Sequence, residues 1–273
     1  MGNSKGERED PWWMQSAPPT KLIRKVTVVE GEEADDAEDD GRLRRLTVYT
    51  LTFEIPPLTA FEEPTIPHSQ VRIDLGDVVK MVIPGYKPKS YSISALRPDE
   101  FDVTFKVYPN GRASGFLNRL KIGDTIQSFG KSANRHRNPG SFVGIIAYGV
   151  GITEGLPVAA SELEKGDAEE VVLLWACRTW GDTFWHESIQ NLSEQYGDRF
   201  RIVHILSREE RPGCLTGRVN PEVLSTVFQP TDKGSARFLS VGTKEMMRMA
   251  DQMLHEIGYK MPKHALLPKR KER

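Results

Sequence analysis

The pattern of apolar and polar positions changes character about halfway along the chain. From residue 21 to about residue 130, short segments rich in Val, Ile, Thr, Tyr and Phe are separated by Gly, Pro and Asp. This pattern is typical of antiparallel strands joined by turns. The predicted strands are LIRKVTVV, LRRLTVYTLTFEI, DVVKMVI, KSYSIS and FDVTFKVY, and a short helix is predicted over residues 113–120, where Leu117 and Leu120 would face inward.

The second half of the chain carries longer apolar runs. Four of them suit strands buried on both faces of a parallel sheet: FVGIIAYG, EEVVLLWACR, FRIVHILS and ARFLSVG. Helical segments alternate with these strands: EGLPVAASELEK, DTFWHESIQNLSEQYG, NPEVLSTVF and KEMMRMADQMLHEIG. Such alternation predicts βαβ crossovers and a doubly wound sheet.

These patterns divide the chain into an antiparallel β domain and an α/β domain, with the boundary near residues 138–141. We predict a polar N-terminal tail over residues 1–20, the β domain over 21–138, the α/β domain over 139–260, and a basic C-terminal tail over 261–273. The length of 273 residues, with 38% hydrophobic and 27% charged residues, is sufficient for a buried core.

Composition narrows the classes of function. The formal net charge of −1 gives no basic field for nucleic acid. Cys177 and Cys214 form neither a disulfide framework nor a metal cluster, and the six histidines lack ligand spacing, so no metal site is predicted. No apolar stretch approaches the ~20 residues that span a bilayer.

The N-terminus has no signal-peptide pattern, so we expect an intracellular, cytoplasmic protein. It begins MGNSKG, which has the glycine of a myristoylation signal but places Gly6 where serine or threonine is expected. This start leaves peripheral membrane attachment open.

The first candidate site is the segment KSYS, Lys89 to Ser92. A flavin needs a flat partner for its ring, a hydrogen-bonding group near its reactive central-ring nitrogen, and a cation for its pyrophosphate. Tyr91, Ser92 and Lys89 would supply these three in turn. The same segment could instead be an ordinary polar strand with a buried tyrosine.

The second candidate is the segment GRAS: Gly111, Arg112, Ala113 and Ser114. At the start of a helix, unpaired backbone N–H groups and the helix dipole favour a phosphate. Gly111 would allow close approach and Ser114 would add a donor. The alternative is a plain turn with a helix cap, because Asn110-Gly111 is itself a strong turn signal.

The third candidate lies where the first strand of the α/β domain meets a helix. Gly149 and Gly151 would let a nucleotide lie against the backbone, and Thr153 could cap the helix. Glu154 suits the first turn of a helix but would repel a pyrophosphate. The alternative is that the glycines serve packing only.

Further candidates follow the later parallel strands, at the edge where open α/β sheets bind ligands. They are Arg178, Ser207, Arg208, Arg218, Ser240 and Gly242. Each arginine taken alone could equally form a surface salt bridge.

Together and in this order, the motifs resemble those of the ferredoxin–NADP reductase superfamily over about residues 21–259. KSYS stands at that family's Arg-x-Tyr-Ser, with Lys89 for arginine, and GRAS stands at its Gly-x-x-Ser. The segment GVGITE resembles Gly-x-Gly-Ile-Thr-Pro, with Glu154 for proline. The segment SVGTKEM resembles Cys-Gly-Pro-x-x-Met, with Ser240 in the cysteine position and no proline.

The resemblance implies an antiparallel Greek-key FAD-binding β-barrel followed by a doubly wound NAD(P)-binding domain. It implies hydride transfer from NADPH or NADH to FAD and onward transfer of electrons to an external acceptor, with Tyr91, Ser92 and Ser240 as the catalytic residues. Arg178 and Arg208, beside Ser207, resemble positions that hold the 2′-phosphate, and Arg218 would complete this group. NADPH is therefore expected over NADH.

Two other functions stay open from the sequence: an electron-transfer subunit of a larger complex, and a non-catalytic protein that retains the fold with altered motifs. No CxxxxCxxC set is present to hold a plant-type iron–sulfur cluster. A basic group formed by Lys131, Arg135, His136 and Arg137 could receive an acidic carrier protein as the electron acceptor.

Overall fold

A computed structural model of the chain describes residues 19–32, 44–55, 78–131, 140–230 and 232–259. Most of the predicted N-terminal tail, the whole predicted C-terminal tail and the basic residues Arg135, His136 and Arg137 lie outside these ranges. Within them, no helix is long and apolar enough to cross a membrane.

The first domain is a closed antiparallel barrel of six strands. The strands are β1 (Pro19–Val29), β2 (Val48–Glu54), β3 (Val78–Met81), β4 (Lys89–Arg97), β5 (Glu100–Lys106) and β6 (Thr125–Lys131). Their order around the barrel is β1-β2-β5-β4-β3-β6, and β6 closes it by pairing with β1. Alternate side chains such as Leu51 and Phe53 fill the interior, as period-2 strands require.

A single described helix, α1 (Arg112–Arg119), closes one end of the barrel. Leu117 on this helix is fully buried among the barrel's core side chains, as its position in the sequence pattern predicts. The helix follows a turn in which Asn110 has a positive φ of 59°, a conformation that asparagine tolerates better than most residues.

The second domain is a five-stranded parallel sheet with helices on both faces. Its elements are β7 (Phe142–Tyr148), α2 (Ile152–Lys165), β8 (Glu170–Cys177), α3 (His186–Tyr196), β9 (Phe200–Leu206), β10 (Leu215–Thr216), α4 (Pro221–Val227), β11 (Ala236–Val241) and α5 (Lys244–Glu256). The strand order is β10-β9-β8-β7-β11. Strands β8, β9 and β10 are added in turn on one side of β7, and β11 is added on its other side. The strand order therefore reverses between β7 and β11, and such a switch point is where these sheets open a crevice for ligands.

Each face of this sheet has its own hydrophobic core. One core contains α2, α3 and the barrel residues Val29 and Val48, and the core on the opposite face contains α4 and α5. Because barrel side chains join the first core, the barrel packs on the α2–α3 side of the sheet. The predicted two-domain fold, an antiparallel barrel followed by a parallel-sheet domain, is confirmed.

Candidate active site

Tyr91 lies on β4, where it pairs with Val79 of β3. Its ring meets Phe105 edge-on at a centroid distance of 6.1 Å. Burial raises the pKa of Tyr91 to about 12, so the phenol is neutral over the whole physiological range. The side chain is thus an uncharged aromatic face held by a second ring.

Ser92 brings the two domains together. Its hydroxyl donates a hydrogen bond of 3.0 Å to Oε2 of Glu154, which lies in the first turn of α2. The KSYS segment and the glycine-turn segment, 62 positions apart in the chain, therefore meet at the domain junction.

Lys89 and Arg112 converge on one aromatic ring. The ammonium of Lys89 lies 5.3 Å from the ring centre of Tyr86, and the guanidinium of Arg112 lies 5.7 Å from it. Both distances are within cation–π range. Two cations from two predicted motifs therefore share one surface, and sequence reasoning missed Tyr86, whose only signal is an aromatic residue three positions before Lys89.

The hydroxyl of Ser114 is engaged within its own turn. It accepts a hydrogen bond from the Tyr108 N–H at 3.2 Å and donates weakly to the Gly111 carbonyl at 3.5 Å. A Cβ atom at Gly111 would come within 2.3 Å of the Ser114 oxygen. These contacts fit the turn alternative, although α1 begins after Gly111 without a side-chain cap.

The glycine turn between β7 and α2 is set by close packing. A Cβ atom at Gly151 would lie 2.5 Å from the backbone oxygen of Val241, and Gly149 has a positive φ of 52°. The Trp175 indole N–H donates to the Gly149 carbonyl at 2.8 Å. Packing therefore requires Gly151, and the backbone conformation favours glycine at position 149.

Thr153 differs from its predicted role as the helix cap. Its hydroxyl donates 2.9 Å back to the Val150 carbonyl, and α2 begins after Gly151 with no side-chain cap. The correction has a local cause: the glycine turn continues into the helix as a 3₁₀ turn, so residue 153 is already inside the first helical turn.

Ser240 does not lie where its predicted place in the cysteine position would put it. It pairs with Ile146 on the α4–α5 side of the sheet, and its hydroxyl lies 3.4 Å from Oδ1 of Asp251 on α5. The residue that contacts Gly151 is Val241. Side chains alternate between the faces of a strand, so a shift of one position moves Ser240 away from the barrel. Counting back five residues from Met246 also aligns Val241, not Ser240, with the family's cysteine.

Sequence reasoning missed a polar cluster beside Gly242. A Cβ atom at Gly242 would press on the ring of Tyr148 at 3.0 Å. Burial raises the pKa of Asp251, against the opposing effect of its hydrogen bond with Ser240. Burial and the charge of Asp251 together raise the pKa of Tyr148 to about 12. The only feature of the sequence that could have indicated this cluster is Asp251, a carboxyl on the otherwise apolar inner side of α5.

Arg178, the first predicted phosphate ligand, is already paired. Its guanidinium donates to both oxygens of Asp182 at 3.2 and 3.0 Å and to the Arg44 carbonyl at 3.0 Å. Lys106 of β5 lies 3.7 Å from the same carboxylate. Burial alone would raise the pKa of Asp182, but the hydrogen bond from Arg178 and the charge of Lys106 outweigh it and hold the pKa below its usual value.

Arg208 and Arg218 remain as exposed cations at the sheet edge. The backbone N–H groups of Ser207 and Arg208 donate to the carbonyls of Cys177 and Arg178 at 3.0 and 2.9 Å. The side chains of Ser207, Arg208 and Arg218 are exposed. In the described part of the chain, neither arginine forms an ion pair.

Comparison with known proteins finds oxidoreductases. Residues 145–252 match the family model described as the Oxidoreductase NAD-binding domain. The chain is 29% identical over 178 residues to NADH–cytochrome b5 reductase 1 of Arabidopsis thaliana, a match that spans 63% of each chain. It is 29% identical to the flavodoxin/ferredoxin–NADP reductase of Escherichia coli over 55% of this chain and 65% of that one.

Solved structures extend the match to nearly the whole chain. The ferredoxin NADP⁺ reductase of Neisseria gonorrhoeae, determined with bound FAD and NADP, aligns with a TM-score of 0.62 at 18% identity, over 90% of this chain and 95% of that one. The cytochrome b5 reductase domain of Ulva prolifera nitrate reductase aligns with a TM-score of 0.67 at 17% identity, over 92% and 96%. The chain therefore shares the two-domain fold of these reductases, and its residues 145–252 match the NAD-binding domain of oxidoreductases.

Proposed function

We propose that this protein is a flavoprotein reductase that takes hydride from a nicotinamide nucleotide onto FAD and passes the electrons to an external acceptor. The hydrogen bond between Ser92 and Glu154 carries the proposal. It joins the strand whose tyrosine would face the flavin to the helix that follows the glycine turn. A flavin ring beside Tyr91 and a nicotinamide arriving at the turn would therefore meet at one junction.

The residues at the barrel fit FAD. Lys89 and Arg112 put two cations above Tyr86, which suits the two negative charges of a pyrophosphate. Tyr91 offers a neutral ring for stacking. When bound, FAD would supply the two-electron chemistry, and the protein would supply orientation and electrostatics.

Ser92 and Glu154 divide the hydrogen-bonding work at the junction. The Ser92 hydroxyl donates its hydrogen bond to the Glu154 carboxylate. Its oxygen can therefore act only as an acceptor toward any other neighbour. An N–H group of a bound ring would suit that acceptor. Glu154 thus fixes the direction in which the serine hydroxyl points.

The absorbance of the purified protein tests the proposal. We expect bound flavin, release of FAD on denaturation, and oxidation of NAD(P)H with a small artificial oxidant. Tyr91→Ala should lose flavin, while Tyr108→Ala, which removes an exposed tyrosine of the turn before α1, should retain it. A colourless protein that excess FAD cannot reconstitute would reject the proposal.

We also propose that NADPH is preferred over NADH. Arg208 and Arg218 are exposed and have no ion-pair partner among the described residues, they lie at the edge where the adenosine would lie, and a guanidinium fork matches a phosphate. Arg178 contributes less, because Asp182 offsets its charge. The printed names of relatives point both ways, to NADH for the Arabidopsis enzyme and NADP for the E. coli one.

Steady-state kinetics with both nucleotides test this preference. Arg208→Ala should raise KM for NADPH far more than KM for NADH, because only NADPH carries the extra phosphate. Arg248→Ala, at an exposed position on α5, is the matched control and should change neither. An equal effect of Arg208→Ala on both nucleotides would remove the argument.

For the acceptor, we propose a small acidic electron carrier. The names of the relatives include cytochrome b5, flavodoxin and ferredoxin. Attraction between such a carrier and a basic surface on this chain would be screened by salt. Reduction of each carrier should therefore slow steeply as ionic strength rises, and a rate that is independent of salt for every carrier would contradict the proposal.

A further inference from the structure

Trp180 makes two contacts with the loop that carries Arg208. Its backbone N–H donates to Oε2 of Glu209 at 2.7 Å. The guanidinium of Arg211 lies 4.4 Å above the indole ring, within cation–π range. Glu209 and Arg211 also pair with each other at 3.8 Å, so the loop folds around one aromatic side chain.

Two histidine rings also contact the indole. The His186 ring stacks on Trp180 at 4.8 Å with an interplanar angle of 21°, and His204 meets it at 5.0 Å. Burial lowers the pKa of both histidines, to about 4 for His204, and nearby positive charge on Arg211 adds to the effect at His186. Neutral rings therefore support an indole that already faces one cation.

The same turn also reaches the barrel. Asp182, two residues after Trp180, is 5% exposed and pairs with Lys106 of β5 as well as with Arg178. At Gly181 a Cβ atom would lie 2.6 Å from Nη1 of Arg45, which belongs to the segment leading into β2. The turn Trp180–Asp182 thus contacts the barrel on one side and the Arg208 loop on the other.

The loop after Arg208 runs over an exposed stretch before β10 begins at Leu215. Ser207 and Arg208 are held by backbone hydrogen bonds to the end of β8, whereas residues 210–213 are exposed and include Gly213 with a positive φ of 80°. Between these backbone anchors and the pairing of β10 with β9, the contacts of Glu209 and Arg211 with Trp180 hold residues 209–211.

We infer that Trp180 is a positioning residue that places Arg208 against the 2′-phosphate of a nicotinamide nucleotide. The inference rests on the proposed preference for NADPH. Trp180 would not touch the reacting atoms. It would fix the distance between a barrel-anchored turn and the cation that distinguishes the two nucleotides.

Trp180→Leu tests the inference because it removes the stacking partner and leaves every charge of the loop in place. We expect KM for NADPH to rise about 3- to 10-fold, as loss of a partly buried cation–π contact implies. KM for NADH and kcat with either nucleotide should stay within about twofold, since Arg208 itself is still present. Trp180→Phe keeps a ring beneath Arg211 and should recover most of the loss.

A binding measurement separates this inference from the proposed function. Adenosine 2′,5′-bisphosphate carries the discriminating phosphate without the nicotinamide, so calorimetric titration reports the phosphate site without turnover. Arg248→Gln on α5 serves as the control, and thermal unfolding confirms that each variant is folded. Binding that weakens in Trp180→Leu and recovers in Trp180→Phe supports the inference.

Two results would overturn it. If the wild-type protein binds the bisphosphate and folded Trp180→Leu binds it equally well, Trp180 does not position the loop, while the preference for NADPH survives. If the wild-type protein does not bind the bisphosphate, the preference for NADPH fails and the inference fails with it. In both cases the flavin spectrum still reports the reductase proposal separately.

Discussion

The cations at two edges of the molecule differ in their partners: those near Tyr86 on the barrel, and Arg178 at the end of β8 in the parallel sheet. At the barrel edge, Lys89 and Arg112 approach Tyr86, and neither has a carboxylate partner in the described part of the chain. At the sheet edge, Arg178 is matched by the buried carboxylate of Asp182. The positive charge at the barrel edge is thus available to an anionic ligand. At the sheet edge, the charge of Arg178 is instead part of the ion pairs around Asp182 that join the two domains.

This difference has a physical cause. A charge taken out of water at a domain junction needs a partner, because burying it alone costs several kcal/mol. Arg178 is only 25% exposed and Lys106 only 13%, so Asp182 serves both. At the barrel, Arg112 is exposed and Lys89 is only partly buried, so hydration stabilises their charges until a ligand arrives.

The largest effect should come from breaking the ion pairs at the junction. Asp182→Ala leaves Arg178 and Lys106 without their shared carboxylate, which should cost about 3 kcal/mol in the free energy of unfolding. Thermal or urea unfolding would measure it. Asp198→Ala, at an exposed position, is the control and should change stability little. A loss no larger than that of the control would mean that water already solvates the pair.

The pH dependence of that loss gives a second check. Because the folded state holds the pKa of Asp182 below its usual value, its contribution is present above about pH 4 and is lost as pH falls through the folded pKa. The difference in stability between the wild-type protein and Asp182→Ala should therefore shrink in acid. A difference that stays constant down to pH 3 would contradict the ion-pair explanation.

The next effect tests the glycine turn against a matched glycine. Gly151→Ala would force a Cβ atom against the Val241 backbone oxygen, only 2.5 Å away, and should cost about 2 kcal/mol of stability. It should also weaken nucleotide binding, because the turn must shift. Gly115→Ala on α1 meets only the end of the Arg119 side chain at 3.6 Å and should be neutral or stabilising. Equal stability of the two variants would show that the turn tolerates a side chain.

The strands, helices and barrel core follow from local patterns in the sequence, because period 2 and period 3.6 decide which side chains are buried. Tyr91, Ser92 and Lys89 could be placed for the same reason, since all lie on one short strand. The sharing of Asp182 between Arg178 and Lys106 could not be predicted, because Lys106 lies 76 positions before Asp182, in the other domain. The predicted position of Ser240 was wrong because the motif was aligned one residue too early, and a shift of one residue in a strand exchanges the two faces.

A smaller effect concerns Glu154, which lies between the two edges. Its carboxylate stands in the first turn of α2, close to where a nucleotide's pyrophosphate would approach the glycine turn. Glu154→Gln removes that negative charge and retains an oxygen that can accept from Ser92. We expect affinity for either nucleotide to rise about two- to fivefold, as one repulsive charge near the surface implies.

The control for Glu154 lies on the same helix. Glu164→Gln, exposed near the end of α2, makes the same chemical change far from the turn and should leave affinity unchanged. Measurement of Kd by titration, together with the flavin absorbance spectrum, separates binding from any disturbance at Ser92. Weaker binding in Glu154→Gln would mean that the carboxylate helps the nucleotide, contrary to its charge.

The smallest effect is expected at the barrel edge, from Lys89→Arg. Arginine adds a second donor for the pyrophosphate and a planar fork, a gain of at most about 1 kcal/mol. Arg112 already brings one guanidinium to the same surface, so we expect FAD to bind only about two- to threefold more tightly. Titration of apoprotein with FAD would measure this, with Lys87→Arg, an exposed neighbour, as the control. If Lys89→Arg bound FAD less tightly than the wild-type protein, the longer guanidinium would not fit above Tyr86, and Lys89 could not be treated as a simple replacement for the family's arginine.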